Sequence, residues 1–199
     1  AKAPDGSSVW QNFTQYFGDS KVVDAEGKPL VVYHRTGKDF TEFRTSESEM
    51  GAHFGNKVHA DSLSSDGKAM EVYLSIKNPL RLVDYGGWEP VSVIQQLPFE
   101  VSSDKFHSVE RLPFKEQISA VQRLIQENGY DGIVYLNRRE GVERHAGDED
   151  FEVKATDAEF KEKYPKTEDS YIAFRPEQIK SAIGNNGQFD PSNPSILKQ

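Results

Sequence analysis

The chain has 199 residues, no cysteine and a formal net charge of -8. That balance argues against wide contact with nucleic acid, which needs a concentrated Lys/Arg surface, and the missing thiols exclude a disulfide framework or a thiolate zinc site. No apolar run approaches the ~20 residues that span a bilayer, and 36% hydrophobic with 28% charged residues fits a soluble, loop-rich globular chain long enough to bury a core.

The five histidines show no HExxH or i,i+4 pairing, so no metal is expected. Residues 1–8 lack the basic and apolar regions of an export signal. The start at Ala1 without methionine suggests an excised fragment or a processed end. One domain over 1–199 is expected, with an N-terminal helix in 1–20, a charged insertion at 141–169 and a tail at 185–199.

In chain order, Val9, Phe13, Tyr16 and Phe17 fall at helical offsets between a capping Ser7 or Ser8 and a stopping Gly18. Lys21 to Val23, the turn Glu26-Gly27-Lys28-Pro29 and Leu30 to His34 predict a hairpin. Asp39 to Phe43 is a loop with two aromatic anchors. Residues 56–68 are read as partly helical with few core positions. Val72 to Ile76 alternates as a strand that Pro79 should end. Pro90 to Leu97 predicts a helix, and Lys115 to Asn128 a stronger one, with Ile118, Val121, Leu124 and Ile125 on one face and Gly129 beyond. Ile133 to Leu136 is a buried strand, residues 141–169 a long charged loop or arm, Tyr171 to Phe174 the last strand, and Pro176 to Ala182 a short helical turn. Short strands outnumber long helices, which suits a mixed α+β split sheet better than a doubly wound one.

Three polar-tipped strands stand out: Tyr33-His34-Arg35-Thr36-Gly37, Gly51-Ala52-His53-Phe54-Gly55, and Asp169-Ser170-Tyr171-Ile172-Ala173-Phe174 followed by Gln178-Ile179-Lys180-Ser181. Their order, together with Phe17-Gly18-Asp19-Ser20, Val72 to Leu80, Gly129 to Tyr135 and Gly187 to Pro191, resembles the ADP-ribosyltransferase superfamily, and within it the phage and mobile-element branch found in polyvalent proteins. The resemblance implies a split mixed sheet with peripheral helices. It implies NAD as substrate, nicotinamide as product and a host macromolecule as acceptor. A protein acceptor is favoured, with nucleic acid left open. The protein would act as a monomer in the cytoplasm of a bacterial host, away from membranes.

The same resemblance implies site roles. His34 would anchor the nicotinamide-side ribose, with Tyr33, Arg35, Thr36 and Gly37 forming the adjoining turn. Arg35 stands where the family carries glycine. His53 takes the position of a tyrosine that stacks on nicotinamide, between Gly51 and Phe54, the latter weighed more as a core anchor. The family's glutamate falls at Ser170, ahead of Tyr171, and a serine supplies no charge. The carboxylate is therefore expected from Glu140, at the end of the preceding strand, or from Asp169 or Glu168 through a local shift. A relative that binds NAD or ADP-ribose, or a partner, without transfer stays open. His59, His107 and His145 are read as surface residues.

Overall fold

The computed structural model describes residues 1–47, 49–63, 67–143 and 147–197. The elements run α1 (Val9–Phe17), β1 (Val32–Thr36), β2 (Ala52–Phe54), α2 (Lys57–Ser62), β3 (Lys68–Leu74), β4 (Pro79–Arg81), α3 (Pro90–Ile94), α4 (Ser103–Glu110), α5 (Phe114–Glu127), β5 (Gly132–Leu136), α6 (Glu149–Lys154), α7 (Asp157–Lys163), β6 (Asp169–Ala173) and β7 (Ile179–Ser181). Two sheets form, in the orders β1-β3-β7 and β2-β6-β5-β4. Among the described residues only the β4–β5 pair is parallel. The fold is α+β, with mixed strands split into two sheets and helices at the periphery.

One backbone bridge joins the sheets edge to edge among the described residues: Tyr33 and Gly55 exchange N–H to O=C bonds of 2.8 and 3.0 Å. Behind it Val32, Val72, Leu74 and Ile179 of the first sheet meet Phe54, Val134, Tyr171 and Ala173 of the second in a shared core. Strand residues alternate between faces, so Ile133 and Ile172 point the other way, into a second core with Val93, Val121 and Ile125 from α3 and α5.

Several sequence expectations hold in detail. Ser8 caps α1 and Gly18 ends it. Ile118, Val121 and Ile125 are buried on α5, and Gly129 follows at φ +91°, a conformation that costs a glycine little. The hairpin before β1 shrinks to one bridge, Val23 to Pro29.

Other expectations are corrected. Pro79 opens β4 instead of closing the preceding strand, because Asp131 accepts the N–H groups of Lys77 and Asn78, 2.8 Å each, and aligns that turn beside β5. Proline fits there because the first residue of a short edge strand need not donate. Residues 176–182 form a 3-10 turn and then β7 in place of a helical turn, since Ile179 to Ser181 complete the β3 ladder. The Gly141 to Asp169 stretch is no bare loop: α6 and α7 pack Phe160 and Ala155 under Leu136, and its charges pair, as in Lys163–Asp148 at 2.7 Å. The tail is built into the sheet edge, with Ile196 buried and the fully buried Lys180 donating to the Asn193 and Ser195 carbonyls at 2.5 and 2.9 Å. No helix is long and apolar enough to cross a membrane among the described residues.

Candidate functional site

Where the sheets part, beyond the Tyr33–Gly55 bridge, a cleft of about 330 Å3 opens. β1 supplies Tyr33, His34 and Arg35, β2 supplies His53 and Phe54, and the ends of β5 and β6 supply Tyr135, Asn137, Glu140 and Ser170. The three polar-tipped strands thus meet at one cavity. A neighbouring cavity of about 530 Å3 shares His34, His53 and Glu49 with it.

The hydrogen bonds fix the histidine tautomers. His34 Nδ1 lies 2.8 Å from the His53 carbonyl, and a carbonyl only accepts, so Nδ1 carries the proton and a neutral ring keeps the Nε2 lone pair. His34 is wedged edge-on against Phe43, centroids 4.9 Å apart. For His53, Nε2 donates to the Glu49 carbonyl at 2.7 Å and Nδ1 accepts from the Tyr135 hydroxyl at 3.1 Å. Burial holds both imidazoles below the ordinary histidine range, so both are neutral at pH 7. His53, Trp88 and Tyr135 make an aromatic wall, the last two with ring centroids 4.5 Å apart.

The acidic side is Glu140, with Asp84 and Glu49 further along the lining. Asp84 is committed to the backbone, accepting Gly86 N–H and Arg138 N–H at 2.9 Å each. Glu140 Oε2 accepts from Asn137 Nδ2 at 2.7 Å. Burial raises its carboxyl above the usual range, partly opposed by that bond and added to by the charges of Asp84 and Glu49.

Period-two alternation decides between the neighbours on β6. Ser170, 2% exposed, faces the cleft beside Tyr135, its partner across the ladder. Asp169 faces the opposite side, where Arg81 grips it at 3.1 and 2.5 Å. The expected shift of Asp169 into the cleft is therefore overturned, since a one-residue slip would flip the buried Tyr171 and Ile172 as well. Glu168 is also engaged elsewhere, with Asn56 at 2.8 Å.

The structure brings Tyr33, His34, Arg35, His53, Phe54, Glu140 and Ser170 together and, besides Asp169, leaves four expected residues outside the cleft. Thr36 and Gly37 lie past it, the Thr36 hydroxyl closing a turn with Lys38 N–H at 3.1 Å. Tyr171 is buried in the inter-sheet core, where burial pushes its phenol to about 12. Gly51 borders only the neighbouring cavity, and a side chain there would collide with the Ala173 carbonyl.

His59 is corrected from surface to interior: it is 3% exposed, and its Nδ1 meets Ser170 Oγ at 3.2 Å. Burial lowers its pKa too. Gly55 makes room for this pair, since a Cβ would stand 2.8 Å from the imidazole and 2.9 Å from the hydroxyl. His107 is exposed, as expected, and His145 lies outside the described residues. Asp84, Trp88, Tyr135, Asn137 and Arg139 are cleft residues that the sequence reading did not single out. Tyr135 had a usable signal, two positions from Ile133 on the same face. Among the described residues no group of three or more His, Asp or Glu could hold a metal ion.

The fold and cleft define a split-sheet α+β domain with a polar cleft at the split. A family model described as ADP-ribosyltransferase in polyvalent proteins matches residues 24–189, and the chain belongs to that family. Comparison with curated proteins and with solved structures returned no match.

Proposed function

We propose that the chain transfers a single ADP-ribose from NAD to a protein acceptor of a host cell and releases nicotinamide. The observation that carries this reading is the convergence of His34, His53 and Glu140 on one cleft in a member of an ADP-ribosyltransferase family. The His34 Nε2 lone pair accepts a ribose hydroxyl. The wall of His53, Trp88 and Tyr135 takes the nicotinamide ring. The bond from nicotinamide nitrogen to ribose C1′ breaks with its electron pair leaving on nicotinamide, and positive charge develops on the ribose as in glycoside hydrolysis. Glu140 opposes that charge and takes the proton of the acceptor as the acceptor bonds to C1′. Its raised pKa suits the second task.

A second reading, binding of NAD or ADP-ribose without transfer, is favoured by one observation. Ser170 stands where the resembling family carries its glutamate, and its hydroxyl is already engaged by Asn137 and His59.

Nicotinamide release from NAD by the purified chain, with and without cell lysate, separates the two. Transfer predicts release that rises with lysate, disappears in His34→Ala and falls about 100-fold or more in Glu140→Gln, the scale of a lost general base. NAD binding without release in any condition would establish the second reading.

A further inference from the structure

We propose that Asn137 and Ser170 are positioning residues that hold the Glu140 carboxylate at the cleft, so that the acid is delivered from the turn after β5 and not from β6. The inference rests on the reading of Glu140 given above and extends it to the residues that act through Glu140.

The hydrogen bonds orient the Asn137 amide. Asn137 Oδ1 accepts the backbone N–H groups of Arg139 and Glu140 at 3.2 and 2.9 Å. That orients the amide, so Nδ2 must face the other way, where it donates to Glu140 Oε2 at 2.7 Å and to Ser170 Oγ at 3.0 Å. Ser170 Oγ also lies 3.2 Å from His59 Nδ1, and because Asn56 N–H points at that nitrogen at 3.4 Å, Nδ1 is an acceptor and the Ser170 hydroxyl its donor. His59 is thereby confined to the neutral form with its proton on Nε2. Every donor and acceptor of the Asn137 amide is used, and Asn137, Ser170 and His59 are 1%, 2% and 3% exposed. A satisfied, buried polar chain of this kind is rigid, and its free end is the Glu140 carboxylate on the cleft.

The arrangement explains a serine at position 170. A glutamate there would extend toward the Asn137 amide, 3.0 Å from the serine oxygen, and displace it from Glu140. One site can carry the acid or the other, not both. An aspartate at 137 would put a second carboxylate against Glu140 and remove both donors.

The charged and titratable groups that share the cleft with Glu140 are Asp84 after β4, Glu49 before β2, His53 on β2, Tyr33, His34 and Arg35 on β1, His59 on α2, Tyr135 on β5 and Arg139 beside it. The two acids raise its pKa and the Asn137 bond opposes them. Removing that bond must move the titration of Glu140 upward.

The test compares wild type with Asn137→Ala, Asn137→Asp, Ser170→Ala and the double variant Glu140→Gln/Ser170→Glu. Asn137→Ala is expected to lower kcat about 10- to 100-fold, the scale of a misplaced reacting group, with KM for NAD little changed. The acid limb of its kcat profile shifts to higher pH, which a loss of folded fraction would not produce. Ser170→Ala, a smaller change that leaves the Asn137–Glu140 bond in place, shifts the limb the same way by less. The double variant recovers turnover over Glu140→Gln alone. An unmoved acid limb in both Asn137→Ala and Ser170→Ala overturns the inference. Carbon-13 NMR titration of the Glu140 carboxyl in wild type and Ser170→Ala gives a readout without turnover. A shifted titration in a chain that releases no nicotinamide rejects the transferase reading and keeps the cradle, whereas identical titrations reject the cradle.

Discussion

β5 and β6 present two faces built from alternate residues of the same strands, and the faces are wired in opposite ways. On the cleft face, Tyr135 and Ser170 lead to His53, His59 and Glu140, groups whose pKa values burial moves toward the neutral form. On the rear face Asp169 is bidentate to Arg81, Asp157 lies between Arg81 at 3.1 Å and Arg138 at 2.8 Å, and the Arg138 guanidinium stacks over Phe160 at 5.0 Å. Full charges are matched there, and α6 and α7 are fastened to the sheet. The contrast shows how one pair of strands separates scaffold from chemistry: adjacent residues, Asp169 and Ser170, serve different tasks because their side chains leave opposite faces.

The rear face can be broken alone. Arg138 is fully buried, so Arg138→Met removes its ion pair with Asp157 at 2.8 Å and its bond to the Glu152 carbonyl at 2.7 Å. A loss of about 3 kcal/mol in unfolding free energy is expected, as for a buried pair that loses one partner. Denaturant titration measures it, and nicotinamide release per folded molecule should stay near wild type. A parallel fall in turnover would mean that the two faces are not separable.

The cleft face should set the pH dependence of stability. His34, His53 and His59 all have folded pKa values below the ordinary 6.5 because burial opposes their charged forms. Below about pH 6.5 the unfolded chain binds protons that the folded chain refuses, so stability is full above that value and falls as pH drops toward the folded values. Glu140 has the opposite sign: its raised pKa gives a contribution present at low pH that is lost as pH rises through the folded value. Melting temperatures between pH 7 and 5 should decline, and His59→Gln should flatten the decline. An unchanged slope would show that His59 charges freely in the folded state.

The smallest expected effect is at Tyr135. Replacing it with Phe keeps the ring against Trp88 but removes the hydroxyl that His53 Nδ1 accepts from. Loss of one such bond costs about 1 kcal/mol, read as a modest fall in NAD affinity with kcat retained. An affinity equal to wild type would show that the Glu49 carbonyl alone fixes the His53 ring.

What the sequence revealed follows from where side-chain pattern is strong. α1 and α5 were legible from helical spacing, β5 and β6 from continuous apolar runs, and His34, His53 and Ser170 from their places at strand mouths. Glu140 was expected at the end of the strand before β6, but β5 stops at Leu136, and Glu140 reaches the cleft from a turn that the Asn137 side chain closes. β4 and β7 were not legible, because three residues carry no period and depend on the Asp131 clamp and the β3 ladder. His59 sits among polar residues and becomes interior only because α2 packs against β1 and brings its imidazole to Ser170 of β6. Residues 141–169 read as solvated since their charges are visible in sequence and their partners, such as Arg138, are not. Asp84 and Trp88 reach the cleft from a loop with no local signature.

The Tyr33–Gly55 bridge carries a further consequence. Two short hydrogen bonds are the single backbone clasp between the sheets among the described residues, directly beside the residues that line the cleft. The width of the opening is thus tied to two individual amide protons. Their rates of exchange with deuterated solvent act as a gauge of the gap, slowing when a ligand draws the sheets together and quickening when the seam parts, with no label or substitution placed in the cleft.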